Sequence, residues 1–423
     1  MLQSMLHFLE KSPDCFHAAA QVQALLQDAG FVPLPQDGAA LAPGGRYFAP
    51  LGGASILAFR LPSSAPTGFT IAAAHSDSPC FRIRDHAELT GAYTRLSVER
   101  YGGMLPGGWL DRPLGIAGRV LVRTPTGVAA RLVDLGPEQA LIPSVAVHLN
   151  REAASGGKFD FAQDFFPLYS GEAGHFLKAV AQAAGCAAED LLSSDLFLYN
   201  GQRGLLWGPE QEFLSAPRLD DLACVFAAAQ GFLMAGDSSA IQVLAVFDHE
   251  EIGSETSRGA ASAFFPETLL AVSQGLGLDA AAHRRLLAGS LLLSCDNGHG
   301  VHPNHPELAD RNEAPVLNGG VVVKHSPRYA TDGLSAAVFS EICRRAQVPV
   351  QHYSNRPDQA GGATLGNIAA ARTPILAVDI GLAQLAMHAC FETIGSRDVD
   401  YMIRAIRAAY ETPLTVRENE IQL

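Results

Sequence analysis

The chain has 423 residues, 30 of them basic and 43 acidic, for a formal net charge of −13. Hydrophobic residues make up 48% and charged residues 17%, which excludes a disordered chain, and the 41 glycines and 25 prolines follow no triplet period, which excludes collagen. The acidic balance argues against nucleic-acid binding, which needs a basic footprint, but leaves room for a locally positive pocket. At about 150 residues per domain the length suggests two or three domains.

Residues 1–30 read as helical, with Asp14 capping a segment that runs to Ala29 and Gly30 ending it. The stretch 47–61 holds two short strands split by Gly52 and Gly53. Residues 68–74 form a nearly continuous apolar run, as in a strand buried on both faces of a parallel sheet. From about 96 to 150 the chain is β-rich, with strands expected at 114–123, 127–135 and 144–149, the pattern of a small antiparallel barrel or sandwich. Residues 151–170 read as loop and 174–184 as helix. Beyond 215 strands (241–247, 290–294, 320–324, 375–378) alternate with helices (220–235, 266–275, 279–287, 335–347, 399–410). That alternation predicts an α/β class domain with a mostly parallel central sheet. The expected organisation is one α/β domain, residues 1–84 and 206–423, interrupted by a β-rich insertion at 85–205.

The seven cysteines (15, 80, 186, 224, 295, 343, 390) include no pair two residues apart, so they suggest neither a disulfide framework nor a zinc–thiolate site. Residues 1–14 carry Glu10, Lys11 and Asp14 and do not read as a secretory signal. The apolar stretch 374–391 is broken by Asp379 and His388 and makes a poor membrane span. The expected compartment is the cytoplasm, with no membrane partner.

Acidic residues and histidines cluster just after the apolar strands. Residues 68–74 lead into His75, Ser76 and Asp77; 241–247 into Asp248, His249, Glu250 and Glu251; 290–294 into Cys295, Asp296 and Asn297; 375–378 into Asp379 and, after a loop, His388. Ligands of open α/β sheets bind at the carboxyl ends of the strands, and imidazole with carboxylate suits zinc, manganese or cobalt. Each segment alone has a plainer reading. His75 can be a hydrogen-bonded loop residue, Glu250 and Glu251 a solvated turn, Asp296 a turn residue, and Asp220 with Asp221 a helix cap. Two carboxylates directly after a buried strand nevertheless call for a cation. Asp77, two residues on, can reach the outer ring nitrogen of His75, and of Glu250 and Glu251 one can bind metal while the other takes a proton.

The set HSDSP (75–79), RLDD (218–221), FDHEEIGS (247–254), SCDNGHGVHPNHPE (294–307), RYAT (328–331), GGATLG (361–366) and QLAMH (384–388) resembles the aspartyl aminopeptidase family of dinuclear zinc exopeptidases, in particular its bacterial branch. YGGMLPGGWLDRPLGIAGRV (101–120) resembles the inserted dimerisation domain of that family. The resemblance implies a three-layer α/β/α metallopeptidase domain interrupted by that insertion. It implies one metal held by His75, Asp220 and Asp296 and another by Asp220, Glu251 and His388, two divalent ions per chain, zinc first and manganese or cobalt next. Asp77 would orient His75, and Glu250 would take a proton from the attacking water and pass it to the leaving amine. The implied substrates are peptides with a free N-terminal Asp or Glu, met by Lys324, with His299 and His302 near the pocket. His148 would complete the site of a neighbouring subunit in a dimer-based homo-oligomer, up to a dodecamer. His148 also has the plain reading of a strand histidine, and Lys324 that of a strand-end lysine in solvent. GGATLG lacks the P-loop lysine and reads as close backbone approach and tight helix packing; NRPDQA (355–360), just before it, is where the resemblance to the family is weakest, which bears on fine specificity and not on the metal site. The competing expectations are another dinuclear-metal amidohydrolase of the same fold (a neutral aminopeptidase, carboxypeptidase or deacylase) and a non-catalytic relative.

Overall fold

The computed structural model describes residues 1–35, 38–151, 156–359, 361–417 and 420–423. Within the stretch read as loop, residues 152–155 lie outside the described residues, as does Ala360 of NRPDQA. Its frame is a nine-stranded sheet, in the order Val32–Pro33, Arg46–Leu51, Ser55–Arg60, Ile241–Phe247, Phe69–His75, Leu291–Cys295, Leu376–Gly381, Val321–His325, Val350–Ser354. The run from Ile241–Phe247 to Leu376–Gly381 is parallel throughout, so four strands end on the same edge. Every residue of Phe69–His75 and of Ile241–Phe247 is buried, because successive side chains enter opposite cores. Ala72 and Ala74 pack with helices Leu219–Met234, Ser396–Glu411 and Gly333–Arg345; Phe69, Ile71 and Ala73 pack with Phe264–Gly275, Ala280–Ala288 and Leu365–Arg372.

The N-terminal helical stretch is two helices, Leu2–Glu10 and Cys15–Asp28, because Pro13 interrupts it. Asp14 does cap the second, accepting from the amides of Phe16 and His17. A second sheet of seven strands occupies the β-rich region, and all its pairings are antiparallel. Leu191–Asn200 pairs with both Cys80–Leu89 and Pro113–Thr124, which closes six of the strands into a small barrel with Gly127–Asp134 outside. Phe81, Trp109, Ile116, Phe165 and Leu196 fill its core. The strand expected at 144–149 does not form. The amide and hydroxyl of Ser144 are tied to the Asp111 carboxylate, Leu149 closes a turn on Ala146, and Val145, Val147 and Leu149 are exposed. Its alternation therefore has no ladder to join.

A third sheet joins Leu205–Trp207, Phe213–Ala216, Glu392–Gly395, Ala383–Leu385 and Gly298–His299. It carries the chain from the parallel strands to the loop of His388. Gly366, in the helix after the glycine-rich loop, packs so closely that an added Cβ would stand 2.5 Å from Asp379 Oδ1 and 2.6 Å from Ser294 Cβ. No helix among the described residues is long and apolar enough to cross a membrane.

Candidate metal centre and active site

His75 is the last residue of its strand, Asp296 directly follows Leu291–Cys295, and Glu251 lies in the 3₁₀ turn Glu250–Ile252 after Ile241–Phe247. Asp220 and Asp221 open the helix Leu219–Met234, but with non-helical backbone (φ −86° and −119°). The helix-cap reading of this pair gives way, with Asp221 Oδ2 accepting instead from the amide of His75 (3.2 Å). His75, Asp220, Asp221 and Asp296 each place one donor atom within 4.8 Å of the others, and so do Asp220, Glu251 and His388. Asp220 belongs to both groups. Its Oδ1 lies 3.5 Å from Nε2 of His75 and its Oδ2 3.4 Å from Nε2 of His388. Glu251 Oε1 is 3.4 Å from the same His388 nitrogen.

These residues fit a divalent metal on their own chemistry. The donors are imidazole nitrogens and carboxylate oxygens. Asp220 Oδ1, Asp221 Oδ1 and Glu251 Oε1 are buried with no hydrogen-bond donor among the described residues, a costly state unless a cation supplies the missing partner. The electrostatics agree. Burial, reinforced by the charge of Asp220, pushes Glu251 well above the usual carboxylate range. Burial with the charges of Asp296 and Asp220 does the same to Asp221, against the pull of His75. Burial works against the charge of Asp220 too, but its two flanking histidines hold it below that range. His388 is lowered by burial and raised more by Asp220 and Glu251, to about 10.

An outer set of contacts fixes these donors. Nδ1 of His75 faces Asp77, 3.0 Å from its carbonyl oxygen and 3.4 Å from its Oδ1. The Asp77 carboxylate also accepts from the amides of Glu250 and Glu251 and from the Tyr101 hydroxyl (2.7 Å). Glu392, buried, accepts from the amides of His388 (2.7 Å) and Asp220 (3.0 Å). Asn297 bridges the Leu219 carbonyl, Gln384 and the Leu382 amide. Asp221, Tyr101, Glu392 and Asn297 were not among the expected site residues.

Glu250 is in neither donor group. Burial, reinforced by Asp296, Asp77 and Asp220, pushes it up to about 7, near neutral pH where a proton carrier works well. Asp248 and His249 are engaged by Arg258 and Thr256, and Asp379 by Thr364 and Ala330. Lys324 is buried, its Nζ 3.0 Å from the Asn297 carbonyl and 3.4 Å from Asp296 Oδ1. His299 and His302, both exposed, line a cavity of about 260 Å³ with Tyr353, Arg356 and Gln384, and Lys324 is not part of that lining. His148 sits in an exposed turn and belongs to neither donor group of its own chain.

Comparison with known proteins bears directly on this arrangement. Residues 8–410 match the family model described as aminopeptidase I zinc metalloprotease (M18). A protein of Clostridium acetobutylicum named probable M18 family aminopeptidase 2 is 36% identical over 423 residues, covering 96% of this chain and 98% of that one. Ape4, solved by cryo-electron microscopy with Nbr1, superposes with a TM-score of 0.93 at 29% identity over 96% of this chain and 85% of that one. The mApe1 dodecamer of S. cerevisiae gives 0.85 at 28% identity, over 96% and 95%. The chain belongs to the aminopeptidase I (M18) family of zinc metallopeptidases, hydrolases of peptide bonds.

Proposed function

We propose that the protein is a two-metal aminopeptidase that removes acidic N-terminal residues from peptides. The observation that carries the reading is Asp220, whose two oxygens face one histidine each in two donor groups. One metal is assigned to His75, Asp220 and Asp296, with Asp221 beside it, and the other to Asp220, Glu251 and His388. Zinc is assigned first from the family. Bound there, the metals would acidify water and polarise the scissile carbonyl. Glu250 takes the proton of the attacking water and returns it to the leaving amine. Asp77 keeps the outer nitrogen of His75 protonated, so that its Nε2 is free to ligate.

We read residues 1–84 and 206–423 as the catalytic domain, with helices layered on both faces of its sheet, and 85–205 as an inserted dimerisation domain, whose sheet already begins with the strand Cys80–Leu89. His148, exposed in its own chain, is assigned to the site of a neighbouring subunit. The dodecamer of the S. cerevisiae relative supports a large homo-oligomer here.

Lys324 is the proposed selector of acidic side chains. One observation favours a neutral-substrate reading instead: its charge is already engaged by Asp296. Hydrolysis of Asp, Glu and Leu amides, before and after chelation and with zinc, manganese or cobalt restored, decides between them. Acid-selective, metal-restored activity is the expected result. Metal-restored activity favouring Leu would keep the metal centre and move the specificity to neutral residues.

A further inference from the structure

Three consecutive residues at the end of the second-sheet strand Thr94–Tyr101 reach three different members of the metal centre. The Tyr101 hydroxyl donates to Asp77 Oδ2, and Asp77 faces His75. Gly102, at φ +72°, lies against Glu251: an added Cβ would stand 3.1 Å from Glu251 Cβ and 3.4 Å from its Oε2. The Gly103 carbonyl accepts from Nδ1 of His388. The contact continues along the chain. The Leu105 amide donates to the His388 carbonyl (2.9 Å), the Cys390 thiol donates to the Gly108 carbonyl (2.7 Å), and Asn200 of the same sheet donates to the Cys390 carbonyl (2.9 Å).

The loop that receives these bonds needs holding. Ala386 and His388 both have positive φ (56° and 66°), a conformation that residues with a Cβ adopt only when their surroundings impose it. Part of that hold comes from Glu392, within the third sheet; the 101–108 segment and Asn200 of the second sheet add to it. Nδ1 of His388 has its partner in Gly103, so the second sheet also sets which nitrogen of that ring is free.

We propose that the second sheet is a positioning frame for the metal centre, with Tyr101 and the Gly102–Gly103 segment as positioning residues for His75, Glu251 and His388. This rests on the ligand roles given above to those residues. It goes beyond them in making metal affinity depend on how the second sheet is seated, through Asp77 on one side and the His388 loop on the other. Linkage makes the coupling reciprocal: whatever docking does for the metal, the metal does for docking.

Tyr101→Phe isolates the hydroxyl, because the ring contacts to Phe197 and His249 (centroids 5.7 and 6.2 Å) remain. Tyr199→Phe is the control; it removes another second-sheet hydroxyl, bonded to Asp134, outside the metal centre. Zinc affinity would be measured by chelator competition on both variants, on Asp220→Ala and on the unmodified protein. Amide hydrogen exchange at Leu105 would be followed with and without zinc. The expected result is a ten- to hundredfold weaker zinc affinity in Tyr101→Phe, the range for lost outer contacts of metal ligands. Tyr199→Phe should bind as the unmodified protein does, and Leu105 should exchange faster once zinc is stripped. Unchanged affinity in Tyr101→Phe with unchanged Leu105 exchange, while Asp220→Ala no longer binds, overturns the frame and spares the metal centre. Full zinc affinity in Asp220→Ala overturns the ligand assignment, and the frame with it.

Discussion

Lys324 and Asp296 form an ion pair almost sealed from solvent: Nζ lies 3.4 Å from Oδ1, with side-chain exposures of 2% and 11%. Burial alone would lower the lysine pKa, but Asp296 holds it above the usual lysine value. The same burial raises Asp296, and Lys324 is the first group to oppose that rise. Removing one partner of such a pair leaves a bare buried charge and typically costs about 3–5 kcal/mol. Lys324→Met should therefore destabilise the metal-free protein by about that much, and the metal-loaded protein by less. Adding Asp296→Leu should recover most of the loss in the metal-free form. Denaturant melts of both forms check this; equal midpoints for the unmodified and Lys324→Met metal-free proteins would mean the pair contributes nothing net.

The shared position of Asp220 separates it from every other donor. Asp220→Ala should abolish tight binding of both metals, whereas His388→Ala should leave the His75 side occupied. Elemental analysis after gel filtration reads the difference directly. Equal metal content in the two variants would contradict the sharing.

Glu250 is placed beside the donors without joining them, and its amide is anchored on Asp77. Glu250→Gln preserves shape and removes the proton carrier. It should lower kcat by about 10²–10⁴ with metal content unchanged and KM little altered. A loss of metal in this variant would reassign Glu250 from proton carrier to ligand.

His148 is exposed in its own chain, beside the exposed Val145, Val147 and Leu149. If its place is in a neighbour's site, specific activity should fall on dilution as subunits separate. His148→Ala mixed with Glu250→Gln should then regain activity after the subunits are exchanged. Specific activity that stays constant down to a demonstrated monomer would remove the trans role.

The candidate donors were legible in part because strand-end placement and residue type point to a ligand without tertiary knowledge; their division between two metals, with Asp220 shared, came from the family resemblance. His75, Asp296 and Glu251 each carry a reactive side chain at or just after the end of a strand of the central sheet, whereas His388 sits in a loop of the third sheet. Glu392 was not legible, since its carboxylate acts on backbone amides, which leave no mark in a sequence. Tyr101 and Gly103 act from another sheet, so their role depends on docking. Asp221 was hidden by a good local alternative, since paired aspartates at a helix start look like a cap. The false strand at 144–149 has a similar cause: alternation marks a strand only where a neighbour pairs with it, and here Ser144 bonds to Asp111 instead. The short strands of the third sheet, such as Ala383–Leu385 and Glu392–Gly395, are too brief to show any period.

The cap of the second helix gives a pH-dependent stability far from the metals. Asp14 Oδ1 accepts from the amides of Phe16 (2.9 Å) and His17 (3.1 Å), while its Oδ2 lies 2.7 Å from Nδ1 of His17. Burial works to lower the His17 pKa, but the hydrogen bond and charge of Asp14, with a smaller contribution from Asp134, raise it overall. A histidine whose folded pKa exceeds its unfolded value of about 6.5 binds its proton more tightly in the folded state. Its contribution is therefore fully present below about pH 6.5 and is lost as the pH rises through the folded value. His17→Gln removes this linkage and leaves the two amide bonds to Asp14 in place. The Tm difference between the unmodified protein and His17→Gln should be largest near pH 5.5 and shrink toward pH 9. Asp14→Ala should lower Tm at every pH, by the equivalent of about 1 kcal/mol for a lost cap, with a further loss at low pH. A His17→Gln difference that stays constant with pH would show that the pair does not couple to folding.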